Sequence, residues 1–214
     1  MRRPTILLCA LAAMLGSPAL LLAQTYPSKS IRIVVPFAPG GPSDITSRNI
    51  APRMTELLGA PSIVVDNRGG ANGLIGSEIV AKAPPDGYTL LSATATITSI
   101  NMVVYPKRPY DTLRDLQPLT TIMATETLLV VHPSLPARNL KELVALAKAR
   151  PGELAMGSAG NGGILHLALE LLNTQAGTKM THVAYKGAGP AVIDVIAGQV
   201  NGMFVDMPVI SPHV

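Results

Sequence analysis

Two glycine-rich runs carry the residues whose types and spacing best suit ligand capture. The first is Phe37-Ala-Pro-Gly-Gly-Pro-Ser-Asp44, directly after the apolar run Ile31-Arg-Ile-Val-Val. A strand, a glycine turn and a helix N-terminus in that order present bare backbone N–H groups to an anion. No Lys or Arg lies inside this turn, so an anion there would be held by backbone dipoles. The residues concerned are Phe37, Ala38, Pro39, Gly40, Gly41, Ser43 and Asp44. The second run is Gly157-Ser-Ala-Gly-Asn-Gly-Gly163, which has the same context and contributes Ser158, Ala159, Gly160, Asn161, Gly162 and Gly163. Each also has a plainer reading as an ordinary strand-to-helix turn. Their occurrence in two separate parts of the chain points to a cleft between them, at the carboxyl ends of strands.

Other chemistries lack their residues. There is no GxxxxGK[ST] run, and Gly157, Gly160, Gly162 and Gly163 do not give GxGxxG, which argues against a nucleotide. Ser158 precedes Gly160 by two, but Met156 stands where a nucleophile elbow needs its first glycine. His166 and Glu170 are four apart on one predicted helix, while His132, His182 and His213 are scattered, so no metal-ligand set assembles. His166 is read as a helix-start residue that faces the cleft or is satisfied by backbone. Asp44 is first a cap or dipole partner, with orientation of a ligand as its alternative. Tyr185 and Asp206 fall at strand ends, where packing and ligand contact are both open. No catalytic residue, metal or cofactor is expected.

The elements that must position these residues alternate along the chain. Strands are predicted at residues 31–37, 62–66 and 88–93, with helices at 45–58 and 74–83. Gly59 is the stop signal of the first helix, and Pro52 is expected to kink it or mark an irregular turn. Residues 101–118 read as proline-bearing and irregular. A second series follows: strands at 127–131, 154–158, 180–184 and 202–205, and helices at 139–150, 164–175 and 190–197. Asn139 with Glu142 forms a capping pattern, and Pro190 takes a first helical position. Alternation at this spacing predicts an α/β fold of parallel sheets covered by helices. Two series predict two lobes, at residues 24–123 and 124–214.

Composition narrows the class. The 214 residues are 48% hydrophobic and 14% charged, enough for a buried core. Aromatic residues are 3% with no Trp, and the net charge of +4 is scattered, which argues against nucleic acid as a partner. Arg2 and Arg3 followed by an apolar run to Leu22 read as a secretory signal peptide over residues 1–23, implying a periplasmic protein. Cys9 is the only cysteine and lies in that leader, so neither disulfides nor thiol chemistry are expected.

Several ordered motifs together resemble the Bug-type extracytoplasmic solute receptors of the tripartite tricarboxylate transporters. They are Tyr26-Pro-Ser-Lys-Ser-Ile-Arg-Ile-Val-Val-Pro-Phe-Ala-Pro-Gly-Gly-Pro-Ser-Asp44, Val65-Asp-Asn-Arg-Gly-Gly-Ala-Asn-Gly-Leu-Ile-Gly76 and Pro85-Asp-Gly-Tyr-Thr-Leu90. Gly157-Ser-Ala-Gly-Asn-Gly-Gly-Ile-Leu-His166, His182-Val-Ala-Tyr-Lys-Gly-Ala-Gly-Pro190 and Gly198-Gln-Val200 complete the set. The resemblance implies a two-lobed, type II clamshell periplasmic binding protein without catalysis. It also implies that residues 37–44 and 158–163 face each other and hold a small carboxylate through backbone groups and water. Ser92, Thr94, Tyr185 and Lys186 are further wall candidates by the same likeness. The implied partners are a small carboxylate and the membrane subunits of a tripartite transporter, the receptor itself being monomeric. A carboxylate sensor acting on a signalling receptor is the alternative. Ala184 stands where the family usually has Pro, and Gly163 where Ser is frequent. Family receptors are longer than this chain, so the first lobe is expected to be incomplete and the chain a fragment.

Overall fold

The computed structural model describes residues 25–214; the predicted signal peptide and Cys9 lie outside the described residues. The first sheet has three parallel strands in the order β2-β1-β3: β1 Ile31–Val35, β2 Ile63–Asn67 and β3 Thr89–Leu91. Ile31, Ile33, Val34 and Val35 are all buried, the near-continuous apolar run of a strand covered on both faces. Between β1 and β2 runs helix α1, Pro42–Leu58. It begins three residues before the predicted start, because Pro42 fits the first turn, where no intrahelical N–H is needed. It continues through Pro52 and stops at Gly59, whose φ of 61° is the left-handed C-cap conformation that glycine adopts without steric cost. Helix α2, Leu74–Ala81, links β2 to β3.

Residues 101–118 are more ordered than predicted. A π-helical turn, Thr96–Ile100, leads into α3, Asn101–Val104, and a single turn α4 follows at Thr112–Asp115. The Asp111 side chain accepts from the N–H groups of Leu113 at 3.0 Å and Arg114 at 3.3 Å, which nucleates α4 despite its shortness.

The second sheet has the order β4-β7-β5-β6, with β4 Thr127–Val131, β5 Ala155–Ser158, β6 Thr181–Ala184 and β7 Gly202–Asp206. It is mixed, not parallel throughout: β4 runs antiparallel to β7, Thr127 opposite Asp206. Helical crossovers force parallel pairing only where a helix returns the chain. β4 arrives from the first sheet without one, so it is free to enter reversed. Helices α5 (Leu140–Ala149), α6 (Ile164–Ala176) and α7 (Ala188–Ile196) cover this sheet, and α8 (Met207–Ile210) follows β7. The Asn139 side chain accepts from Glu142 N–H at 3.0 Å, and the Glu142 carboxylate accepts from Arg138 N–H at 2.7 Å, closing the predicted cap. α7 begins two residues before Pro190, which is tolerated in the first turn because no intrahelical N–H bond is made there for proline to lose.

Alternation along β7 divides the core. Met203 and Val205 pack with Ala191, Val192, Val195, Val209 and Ile210 on one face, while Phe204 joins Leu143, Met156 and Leu169 on the other. The short strands thus deliver their carboxyl ends, where both glycine loops begin, at a fixed height.

Candidate functional site

The two sheets meet across a small cavity of about 70 Å³. Its lining combines Phe37, Gly41, Pro42, Ser43, Asp44, Asn72, Thr94 and Thr96 from the first half with Ala159, Gly160, Gly163, Ile164, Leu165, Ala188 and Asp206 from the second. The N-termini of α1, α6 and α7 all open onto it, through Gly41 to Asp44, Gly163 to Leu165, and Ala188. First-turn amides have no carbonyl of their own helix to bond, and each helix end carries roughly half a positive charge. Among the described residues no Lys, Arg or His lines the cavity. Partial positive charge is supplied there by peptide dipoles from both sides, beside the carboxylates of Asp44 and Asp206.

Each half closes on the other through specific contacts. Ala38 N–H donates to Lys186 C=O at 3.0 Å. Ile164 N–H, at the start of α6, donates to the Thr96 hydroxyl at 3.2 Å, so a residue of the first half caps a helix of the second. The Tyr105 hydroxyl donates to Asn161 C=O at 3.0 Å. Asn72 takes a positive φ of 53° and lays its side-chain oxygen against Gly160 and Gly163, where a β-carbon would sit 2.8 Å and 3.0 Å from it. The Asn72 side-chain amide donates to Oδ1 of the fully buried Asn101 at 2.9 Å, and the Asn101 amide donates back to the Asn72 backbone C=O at 3.0 Å.

Among the residues singled out from sequence, Phe37, Gly41, Ser43, Asp44, Thr94, Ala159, Gly160, Gly163 and Asp206 line the cavity. The others stand behind it or beside it. Ala38, Pro39 and Gly40 form the turn that packs on the Lys186–Gly189 stretch. Ser92 is buried, its N–H bonded to Val34 C=O at 3.0 Å. Ser158 is fully buried, 2.6 Å from His182 Nε2. Gly162 N–H donates to His166 Nδ1 at 2.9 Å, so His166 is satisfied by backbone, as one reading of it held. Tyr185 donates its hydroxyl to Asp194 at 2.6 Å and packs into the core, and Lys186 is exposed and acts through its carbonyl. Pro42, Asn72, Thr96, Ile164, Leu165 and Ala188 were not singled out. Asn72 had a signal, an Asn directly before Gly73 that suits the left-handed region; Thr96 had none.

Electrostatics separate the two cavity carboxylates. Burial pushes Asp44 up. Hydrogen bonds from Arg48, Gly40 N–H and Asn67, with the Arg48 charge, outweigh that and hold the group below the usual carboxylate range. Asp44 thus consumes the Gly40 N–H and ties the first turn shut. Burial pushes Asp206 up, and the Thr127 hydroxyl, donating at 3.0 Å, only partly offsets it. Burial and then the Asp194 carboxylate raise the Tyr185 phenol to about 12. Among the described residues no three His, Cys, Asp or Glu side chains gather as a metal site.

This architecture is that of periplasmic binding proteins. A protein described as a periplasmic transporter shares 44% sequence identity with a TM-score of 0.84, covering 87% of this chain and 62% of that one. A protein from R. palustris solved with adipate gives 38% identity and the same TM-score and coverage. MatC from Rhodopseudomonas palustris, solved with bound malate, gives 30% and 0.78, over 87% of this chain and 63% of that one.

Residues 46–214 match the family model TctC, the tripartite tricarboxylate transporter family receptor, and the chain belongs to that family. Protein BugT of Bordetella pertussis is 38% identical over 93% of this chain and 61% of its own length. An uncharacterised-family protein from the tcbD-tcbE intergenic region of Pseudomonas sp. strain P51 is 40% identical over 94% and 60%. The chain spans about three fifths of the length of these relatives.

Proposed function

We propose that this chain belongs to a periplasmic receptor that captures a small carboxylate between two lobes, residues 24–123 and 124–214, and delivers it to the membrane subunits of a tripartite tricarboxylate transporter. The observation that carries this reading is the convergence of three helix N-termini, from both sheets, on a cavity without a basic side chain. A carboxylate suits such a site because backbone N–H groups both neutralise and orient it. Relatives solved with adipate and with malate support the ligand class. The receptor acts without turnover, as a monomer, after export by the leader at residues 1–23. Carboxylate binding shifts an open–closed equilibrium toward the closed form.

A thermal-shift panel of adipate, malate, tricarboxylates, aromatic acids and uncharged analogues tests this. The melting temperature is expected to rise with concentration for at least one carboxylate and for no uncharged analogue. A flat response to every carboxylate overturns the reading, as does consumption of the bound acid.

A further inference from the structure

His166 and His182 lie outside the cavity lining but directly behind the second glycine loop. The two rings stack with centroids 3.7 Å apart, one on α6 and the other on β6. The Gly162 amide donates to His166 Nδ1 at 2.9 Å. A nitrogen that accepts carries no proton, so His166 must be neutral with its proton on Nε2. That Nε2 faces the Glu170 carboxylate at 3.5 Å, one turn along the same helix. On the other side, His182 Nε2 sits 2.6 Å from the buried Ser158 hydroxyl, which also bonds both the N–H and the C=O of Gly160. The two imidazoles therefore hold the loop at both ends, Gly160 through Ser158 and Gly162 directly.

We propose that His166 is the positioning residue of the 160–163 loop, and that its protonation at Nδ1 detaches Gly162 and loosens the ligand jaw, making capture acid-sensitive. The proton that arrives on Nδ1 turns the acceptor into a donor aimed at another donor, so the bond to Gly162 N–H is lost. Three groups face the ring pair. Glu170 on α6 favours the imidazolium, while the stacked His182 of β6 and the Gly162 amide oppose it. The Ser158 hydroxyl on β5 is compatible with either state. Burial, then the neighbouring His166, hold His182 below its usual range, with Glu170 only partly offsetting them. From the first half, Tyr105 grips only Asn161 C=O and does not replace the lost bond.

The test reads the loop itself. Imidazole nitrogen NMR of the 15N-labelled chain at pH 8 is expected to show His166 protonated at Nε2 alone. Exchange of the Gly162 amide, corrected for its intrinsic rate, is expected to quicken at least tenfold from pH 7.5 to pH 5.5. In His166→Asn the amide oxygen stands where Nδ1 stood and cannot titrate, so Gly162 stays protected across that range. His166→Phe keeps the stack without an acceptor, and Gly162 exchanges fast at every pH. Corrected exchange that ignores pH in the unsubstituted protein overturns the proposal, as does loss of protection in His166→Asn parallel to it. A second arm uses adipate as probe: affinity falls more steeply on acidification in the unsubstituted protein than in His166→Asn, a comparison that cancels the probe's own titration. This arm rests on the carboxylate reading. The exchange arm needs no ligand and stands whether or not adipate binds.

Discussion

Asp206 is a carboxylate at the rim of the cavity proposed to take an anion, and among the described residues it makes no ion pair. Its folded pKa is raised above the unfolded value, so the ionised group disfavours the fold at neutral pH. That cost recedes as pH falls through the raised value. Asp206→Asn keeps an oxygen for the Thr127 hydroxyl and removes the charge. Urea melts should therefore find the variant more stable at pH 7, with the gap closing toward pH 4. Titration calorimetry should find it binding a carboxylate probe several-fold more tightly. Asp44 has the opposite sign. Its lowered pKa contributes stability that is present above the unfolded value and is lost as pH falls through the folded one. Asp44→Ala strips partners from Gly40 N–H and Arg48, and is expected to cost about 2 kcal/mol at pH 7 in urea melts, shrinking in acid. Both aspartates were legible in sequence as candidates. Their opposite roles were not, because Asn67 is brought to Asp44, and Thr127 to Asp206, only by folding.

Elements were legible where a local signal fixed them. Gly59 ended α1 and Asn139 with Glu142 began α5, since caps act within one turn. The glycine loops were legible for the same reason. The reversed β4 and the helical turns within residues 101–118 were not, since strand direction depends on where the chain arrives and α4 rests on one aspartate cap. Thr96 and Ala188 enter the cavity through packing between halves, which leaves no local trace. Gly189 sets the two scales against each other. It lies inside α7, where alanine is the better helix former by about 1 kcal/mol. A β-carbon there would collide with the Pro39 carbonyl and crowd Gly40 at 3.2 Å. Gly189→Ala should leave helical circular dichroism intact while carboxylate affinity drops at least tenfold. Unchanged affinity would mean that the turn at residues 38–41 and α7 do not need this contact.

At the scale of the molecule, polar contacts around the cavity join the two halves beside the apolar packing of Ile45 on the second-half core. Thr96 is the one that joins a helix end to the opposite half. Thr96→Val keeps the shape and leaves the Ile164 N–H without its partner, a loss of about 1 kcal/mol. Small-angle scattering should show a larger radius of gyration for the variant, and a carboxylate probe should bind about fivefold more weakly. An identical scattering profile and affinity would remove Thr96 from the closing contacts.

The antiparallel entry of β4 places Thr127 opposite Asp206 at the end of β7, with Met207 N–H bonded to Glu126 C=O at 3.0 Å. Residues 116–126, which bring the chain from one sheet to the other, therefore end one hydroxyl away from the cavity rim. In the proposed receptor this crossover links the two lobes, so a guest that reaches Asp206 lies one hydroxyl from the link between them.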